Sequence, residues 1–211
     1  MNRIVEQYPG CQLAAREPLP ITEESPLWRV TQGVLRIDSA APGEPARFVR
    51  LALPGDVLGV ERWAGGADTL SYRALIACSA EVVKADDAAM ISILMDTVVV
   101  AHQRSREAME LRTGPVSQRL KALLLMFAQG HERQDAAAVE CPVPNLADLR
   151  DIIDAAPETI SRVFASMREM AFLQGRRPQK ARFSSQVLRA QSLMPGMSAS
   201  SPAQRSLLIG A

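Results

Sequence analysis

Glu158, Ser161 and Arg162 stand at i, i+3 and i+4 in the stretch "APETISRVFASMREM", residues 156 to 170. On a helix that spacing puts all three side chains on one face. Their chemistry is that of base edges. Arg162 carries the planar fork that pairs with O6 and N7 of guanine. Glu158 can accept from the exocyclic amine of cytosine or adenine, and Ser161 is small enough to sit beside a thymine methyl. The plain alternative is an i,i+4 surface ion pair between Glu158 and Arg162, worth roughly 0.2–0.5 kcal/mol.

Such a display needs a helix, and the sequence supplies one. Pro157 suits the first helical position, where a missing N–H costs nothing and a fixed φ is already helical. Ile160, Val163, Phe164 and Met167 share the face opposite Glu158, Ser161, Arg162 and Ala165. Just upstream, "NLADLRDIIDAA" forms a brief helix capped by Asn145, with Leu146, Leu149, Ile152 and Ile153 as its apolar face. Only "DAA" separates it from Pro157. Two short helices joined by so tight a turn describe a helix-turn-helix, whose second helix meets DNA through its N-terminal residues.

Charge points the same way. Residues 1–113 hold 12 basic and 15 acidic residues, whereas residues 114–211 hold 12 and 8. From Arg162 to Arg189 seven basic residues face the single Glu169. A basic segment in a chain of net charge +1 suggests a local anionic partner rather than general stickiness, and beside a helix-turn-helix that partner would be double-stranded DNA. No apolar run has membrane-spanning length, and no secretory signal is expected at an N-terminus with Glu6 and no apolar core. Cys11, Cys78 and Cys141 are odd in number and far apart, which favours reduced thiols in a cytoplasm.

The first part of the chain alternates differently. "LWRVTQGVLRID", "ARFVRLAL" and "LSYRALIACSAEVVKAD" read as strands, with "SAAPGEPA" as turn chemistry. In "LPGDVLGVE", Gly55 and Gly59 mark tight corners. Residues 1–85 are thus expected to form a β-barrel or roll. From Asp86 some 28 residues contain neither glycine nor proline. Met90, Leu94, Val98, Ala101, Ser105 and Ala108 fall at steps of four or three, predicting a dimerisation helix over 86–113. "VSQRLKALLLMFAQGH" gives the next helix, "ERQDAAAVECPVP" a linker with a short strand, and "QGRRPQKARF" a basic hairpin. The tail, 191–211, is Ser/Pro/Ala-rich and expected to be disordered.

This order resembles the Crp/Fnr transcription regulators over roughly residues 20–190. "LPGDVLGVE" is similar to the family's Gly-Asp-x-x-Gly corner, "SQRLKALLLMFA" to the first helix of its DNA-binding domain, and "PETISRVFASMREMAFL" to its recognition helix. The resemblance implies an α+β fold: an N-terminal β-roll of the cyclic-nucleotide-binding type, a long dimerisation helix, and a winged helix-turn-helix over 114–190. It implies a homodimer on palindromic DNA, with RNA polymerase as a further partner and no enzymatic activity. The Glu-Thr-x-Ser-Arg run carries the DNA-binding role onto Pro157, Glu158, Thr159, Ser161 and Arg162, with Asn145 and, in the hairpin, Arg177 as further contacts. Glu, Ser and Arg at these places match the Fnr branch, which reads TTGAT-type half-sites. Two departures stand out. Asp154 replaces the usual turn glycine, though aspartate tolerates the left-handed conformation. Ala156 replaces a Ser or Thr cap.

The effector is less legible. Gly59, Glu61 and Arg73 are the candidate lining of an effector pocket, but the phosphate-neutralising arginine of cyclic-nucleotide-binding members is missing at its expected place. With Cys11 alone near the N-terminus, a four-thiolate iron–sulfur cluster within one chain is excluded. Haem through His102 or a cysteine stays an alternative to a surface role for His102. No cofactor or metal is predicted, and Cys78 is read as a small buried hydrophobe. Two other classes compete: a cupin-like metal enzyme, which would want histidines clustered on strands, and a ligand-binding regulatory module that does not act on DNA. Both histidines, His102 and His131, lie outside the strand region.

Overall fold

The computed structural model describes residues 10–64, 68–129, 139–171, 173, 180–183 and 188, with backbone alone at 64, 139–142 and 180–183. Strands β1 (Cys11–Leu13), β2 (Trp28–Gln32), β5 (Val57–Leu58) and β7 (Cys78–Val82) form an antiparallel sheet in the order β1-β7-β2-β5. Strands β3 (Leu35–Ala40), β4 (Arg47–Ala52) and β6 (Thr69–Ala74) form a second, ordered β4-β3-β6. Both contribute to one core: Trp28, Val30, Leu58, Ala80 and Val82 from the first, Leu35, Ile37, Tyr72 and Ala74 from the second. The chain is α+β, with this strand-built part first and helices after it.

Period-two alternation explains the strands but not all of their burial. In β3 Leu35 and Ile37 enter the shared core, yet Arg36 and Asp38, on the other face, are also buried. That face must therefore be covered, and the helices cover it. Between Ile37 and Asp38 the pairing with β4 shifts by one residue, leaving the half-exposed Val49 as the extra one. The bulge lets Arg50 point inward, opposite Ile37, while Phe48 points outward into a second core with Leu51, Leu111 and the helices that follow.

The corner after β4 is the one the glycines foretold. Gly55 and Gly59 have φ of 95° and 94°, left-handed values that L side chains rarely adopt. Between them Asp56 is 3% exposed, and its carboxylate accepts from the Leu53 N–H at 3.1 Å.

Helix α1 (Asp87–Glu110) begins at Asp86, whose side chain accepts from the Ala89 N–H. Its inward side is set by Arg104, which donates to both oxygens of Asp56 at 2.9 and 3.0 Å and to Glu107 at 2.7 Å. Burial works against the Arg104 charge, but the hydrogen bonds to Asp56 and Glu107 outweigh it and raise its proton affinity. This anchoring divides the apolar residues of α1 between two sides. Met90, Leu94, Ala101 and Ala108 are half-buried on the Arg104 side, while the exposed apolar residues are Ile91, Met95, Val98, Val99 and Met109. The exposed stripe is thus turned by about one residue from the seam read in the sequence, and Val98 and the exposed Ser105 are common to both. An apolar count alone could not reveal that an arginine would choose the inner face.

Helices α2 (Val116–Gln129), α3 (Leu146–Ile153) and α4 (Pro157–Glu169) pack on one another through Leu120, Leu123, Leu124, Phe127, Leu149, Ile152, Ile160 and Phe164. Strand β8 (Val139–Pro142) pairs antiparallel with β9 (Lys180–Phe183). The basic hairpin and Arg177, apart from its β9 end, lie outside the described residues, as do His131 and the 191–211 tail. Among the described residues no helix is long and apolar enough to cross a membrane.

Removing one side of the Asp56–Arg104 pair leaves a buried charge without its partner. Arg104→Ala should lower unfolding stability by roughly 3–5 kcal/mol, measured as a lower urea midpoint. Adding Asp56→Asn to it should recover part of the loss.

Candidate nucleic-acid interface

The helix α3 starts where Asn145 places it: its side chain accepts from the Asp148 N–H at 2.9 Å. It ends at Asp154, with φ 46° and ψ 63°, so aspartate takes the left-handed place that glycine would fill. The Asp154 N–H returns to the Arg150 carbonyl. Arg119 of α2 closes the turn from below, donating through Nη1 to the carbonyls of Ile153 and Asp154. The turn is thereby held from both sides.

Pro157 is the first residue of α4, behind an N-cap at Ala156 that makes no side-chain hydrogen bond. Ile160, Phe164 and Met167 are buried, and Val163 is half-buried against the same core. Glu158, Ser161, Arg162 and Ala165 are exposed, whereas Pro157 and Thr159 are half-buried at the helix mouth. Burial of one side presents the other side as a coherent row. No ion pair joins Glu158 to Arg162 among the described residues, so both keep their bonding capacity open to solvent.

Of the proposed effector set, Gly59 and Glu61 meet, but Arg73 does not join them. The Gly59 N–H donates to Glu61 Oε2 at 3.0 Å, and Glu61 also pairs with Arg50 and receives the Tyr72 hydroxyl at 3.3 Å. Burial and then the Glu61 carboxylate push the Tyr72 phenol well above its ordinary value. Arg73 follows Tyr72 in β6 and so points to the opposite face. There its Nη2 meets Asp148 Oδ1 of α3 at 2.7 Å. That hydrogen bond is the chief cause of its raised proton affinity. The inward arginine beside Glu61 is Arg50, hidden from sequence reading because a bulge reverses its side.

Arg36, Asp38, Arg50, Asp56 and Asp148 are the buried charged residues that sequence patterning missed. Besides near neighbours, they meet across the chain: Asp56 pairs with Arg104, 48 residues away, and Arg36 with Asp148, 112 away, separations that no local motif encodes. Cys78 is buried, donates to the Ile76 carbonyl, and has its thiol pushed up to about 11 by burial. Cys11 is half-buried on β1 and His102 is exposed on α1. The described residues contain no group of three metal-ligating side chains.

No family model and no curated protein matches the sequence. Solved structures do match its fold. The chain has the fold of the CRP/FNR-family transcriptional regulators. Among these, TTHB099 from Thermus thermophilus, a CRP-family regulator, is 19% identical with a TM-score of 0.66, over 85% of this chain and 95% of that one. FixK2 from Bradyrhizobium japonicum is 20% identical with a TM-score of 0.64, over 89% and 98%. TTHA1359, also from Thermus thermophilus and of the CRP/FNR family, is 16% identical with a TM-score of 0.64, over 86% and 96%.

Because Ala156 already has N-cap backbone angles, φ −62° and ψ 140°, a hydroxyl there needs no rearrangement. Ala156→Ser should stabilise the protein by about 1 kcal/mol, measurable as a raised melting temperature.

Proposed function

We propose that this chain is a homodimeric transcription regulator of the Crp/Fnr type that reads palindromic duplex DNA with α4. The supporting observation is the solvent-open row Glu158, Ser161 and Arg162 at the N-terminal end of a helix whose other side is buried. In this proposal residues 114–190 form a winged helix-turn-helix, 86–113 the dimer contact, and 1–85 the sensing roll. Arg162 pairs bidentately with a guanine, Glu158 accepts from an exocyclic amine, and Ser161 lies against a thymine methyl. Pro157, Thr159 and Asn145 fix the approach of the helix mouth, and Arg177 holds phosphate. The relatives in fold are regulators by their own descriptions, which favours this over catalysis.

A duplex carrying TTGAT, four spacer pairs and ATCAA is the first target. Arg162→Ala should cost about 1–3 kcal/mol and relax preference at a single base pair per half-site. Equal weakening on every sequence would mean that Arg162 meets only phosphate, and the assignment of α4 would fail. Native binding should also fall steeply with salt.

The dimer contact is assigned to the exposed stripe of α1. Ile91, Met95, Val98, His102, Ser105 and Met109 follow steps of four and three, and all are exposed. A parallel pair related by a two-fold axis suits an inverted repeat. Val98→Glu sets two carboxylates against one another across that axis. Sedimentation should find the native chain dimeric at micromolar concentration and the variant monomeric, with weakened operator binding; a native monomer that binds tightly would refute the stripe.

A further inference from the structure

On the outer face of the β4-β3-β6 sheet, Arg36 and Arg73 are directly opposed cross-strand neighbours. Two like charges in that relation repel, so the pair needs an anion. Asp148 of α3 supplies it. Arg73 Nη2 lies 2.7 Å from Asp148 Oδ1, and Arg36 Nη1 lies 3.5 Å from the same oxygen. Arg36 is further held by Asp38 through Nε at 2.6 Å and approaches Asp151 at 3.4 Å. The side chains of Arg36 and Asp148 are only 6% and 8% exposed, so water screens this junction little.

Asp148 is itself tethered. Asn145 donates to it through Nδ2 at 2.6 Å and accepts from its N–H. Its helix is eight residues long and leads, through the turn pinned by Arg119, into α4. Arg112, just beyond α1, adds a bond to the Asp151 carbonyl at 3.0 Å. The angle of α3 on the sheet therefore sets the angle of α4.

Building on the proposed function, we propose that Asp148 is a positioning residue for DNA reading. Its grip on Arg36 and Arg73 fixes the direction of α4 relative to the rest of the protomer, and hence the half-site separation that a dimer accepts. Base contacts belong to α4; the distance between the two sets of contacts belongs to this junction.

The test measures binding to inverted half-sites with spacers of two to six base pairs, and to a duplex with one half-site. The native protein should favour one spacer by about tenfold or more over its neighbours. Asp148→Asn keeps the shape and removes the charge. It should flatten that preference to within about threefold, leaving single half-site affinity within about twofold of native. Arg73→Gln, at a more exposed position, should flatten it too and serves if the first variant does not fold. The exchange Arg73→Asp with Asp148→Arg rebuilds an opposite-charge contact and should restore the preference. An unchanged spacer profile in folded Asp148→Asn or Arg73→Gln overturns the inference, as does equal weakening at every spacer and at the single half-site. A native chain that binds no duplex at all defeats the proposed function itself, and the inference with it.

Discussion

Asp56 is the constraint on which the rest of the arrangement depends. A carboxylate 3% exposed has no water to solvate it and must find its partners within the protein. It finds them in the Leu53 N–H, which closes the corner, and in Arg104, which brings α1 against that corner. Arg50 stands 3.8 Å away as a second cation, itself held by Glu61. One buried anion thus fixes the exit of β4, the rotation of α1 and the guanidinium that fills the inward side of the sheet. The direction of α1 then decides which of its apolar residues stay exposed.

The inward cluster of Arg50, Glu61 and Tyr72 gives the strand-built part a polar spot within an apolar core. Glu61 meets an arginine, a backbone N–H and a phenol, so its oxygens are occupied by the chain itself. Its partner is Arg50 and not Arg73. The charged residues of β6 and β4 are therefore divided between two tasks: one internal to the roll, the other at its junction with the helices.

The helical half was legible because its signals are local. Pro157, Asn145 and the 3.6-residue periodicity of Ile160, Phe164 and Met167 each act within a turn or two, and the structure places them as periodicity and capping chemistry require. The alternation of the main strands and the glycine corners were legible for the same reason. The short strand β1 and the bridge from Pro18 to Arg73 were not, since three residues carry too little pattern. Nor were the buried ion pairs: in "VLRID" the alternating Arg36 and Asp38 read as a wet face, and only α3, more than a hundred residues on, makes that face dry. The exposed apolar stripe of α1 lies about one residue round from the seam read in the sequence, for a related reason. Apolar spacing describes two adjacent stripes almost equally, and a single long-range salt bridge selected between them.

The bulge at Ile37 and Asp38 turns strand β4 into a part with two parities. A regular strand would send Phe48 and Arg50 to the same side, because they differ by two positions. With Val49 as the odd residue, odd and even exchange roles midway: before it the even-numbered Phe48 faces the helices, and after it the odd-numbered Leu51 does, while Arg50 and Ala52 face the interior of the roll. Loss of that one residue would be more than a local defect. It would move every side chain on one half of the strand to the wrong compartment, sending an aromatic ring into the polar spot or a guanidinium onto the apolar seat of Leu111. The strand is consequently intolerant of length change at a place where its surface position and half-exposed valine would otherwise mark it as permissive.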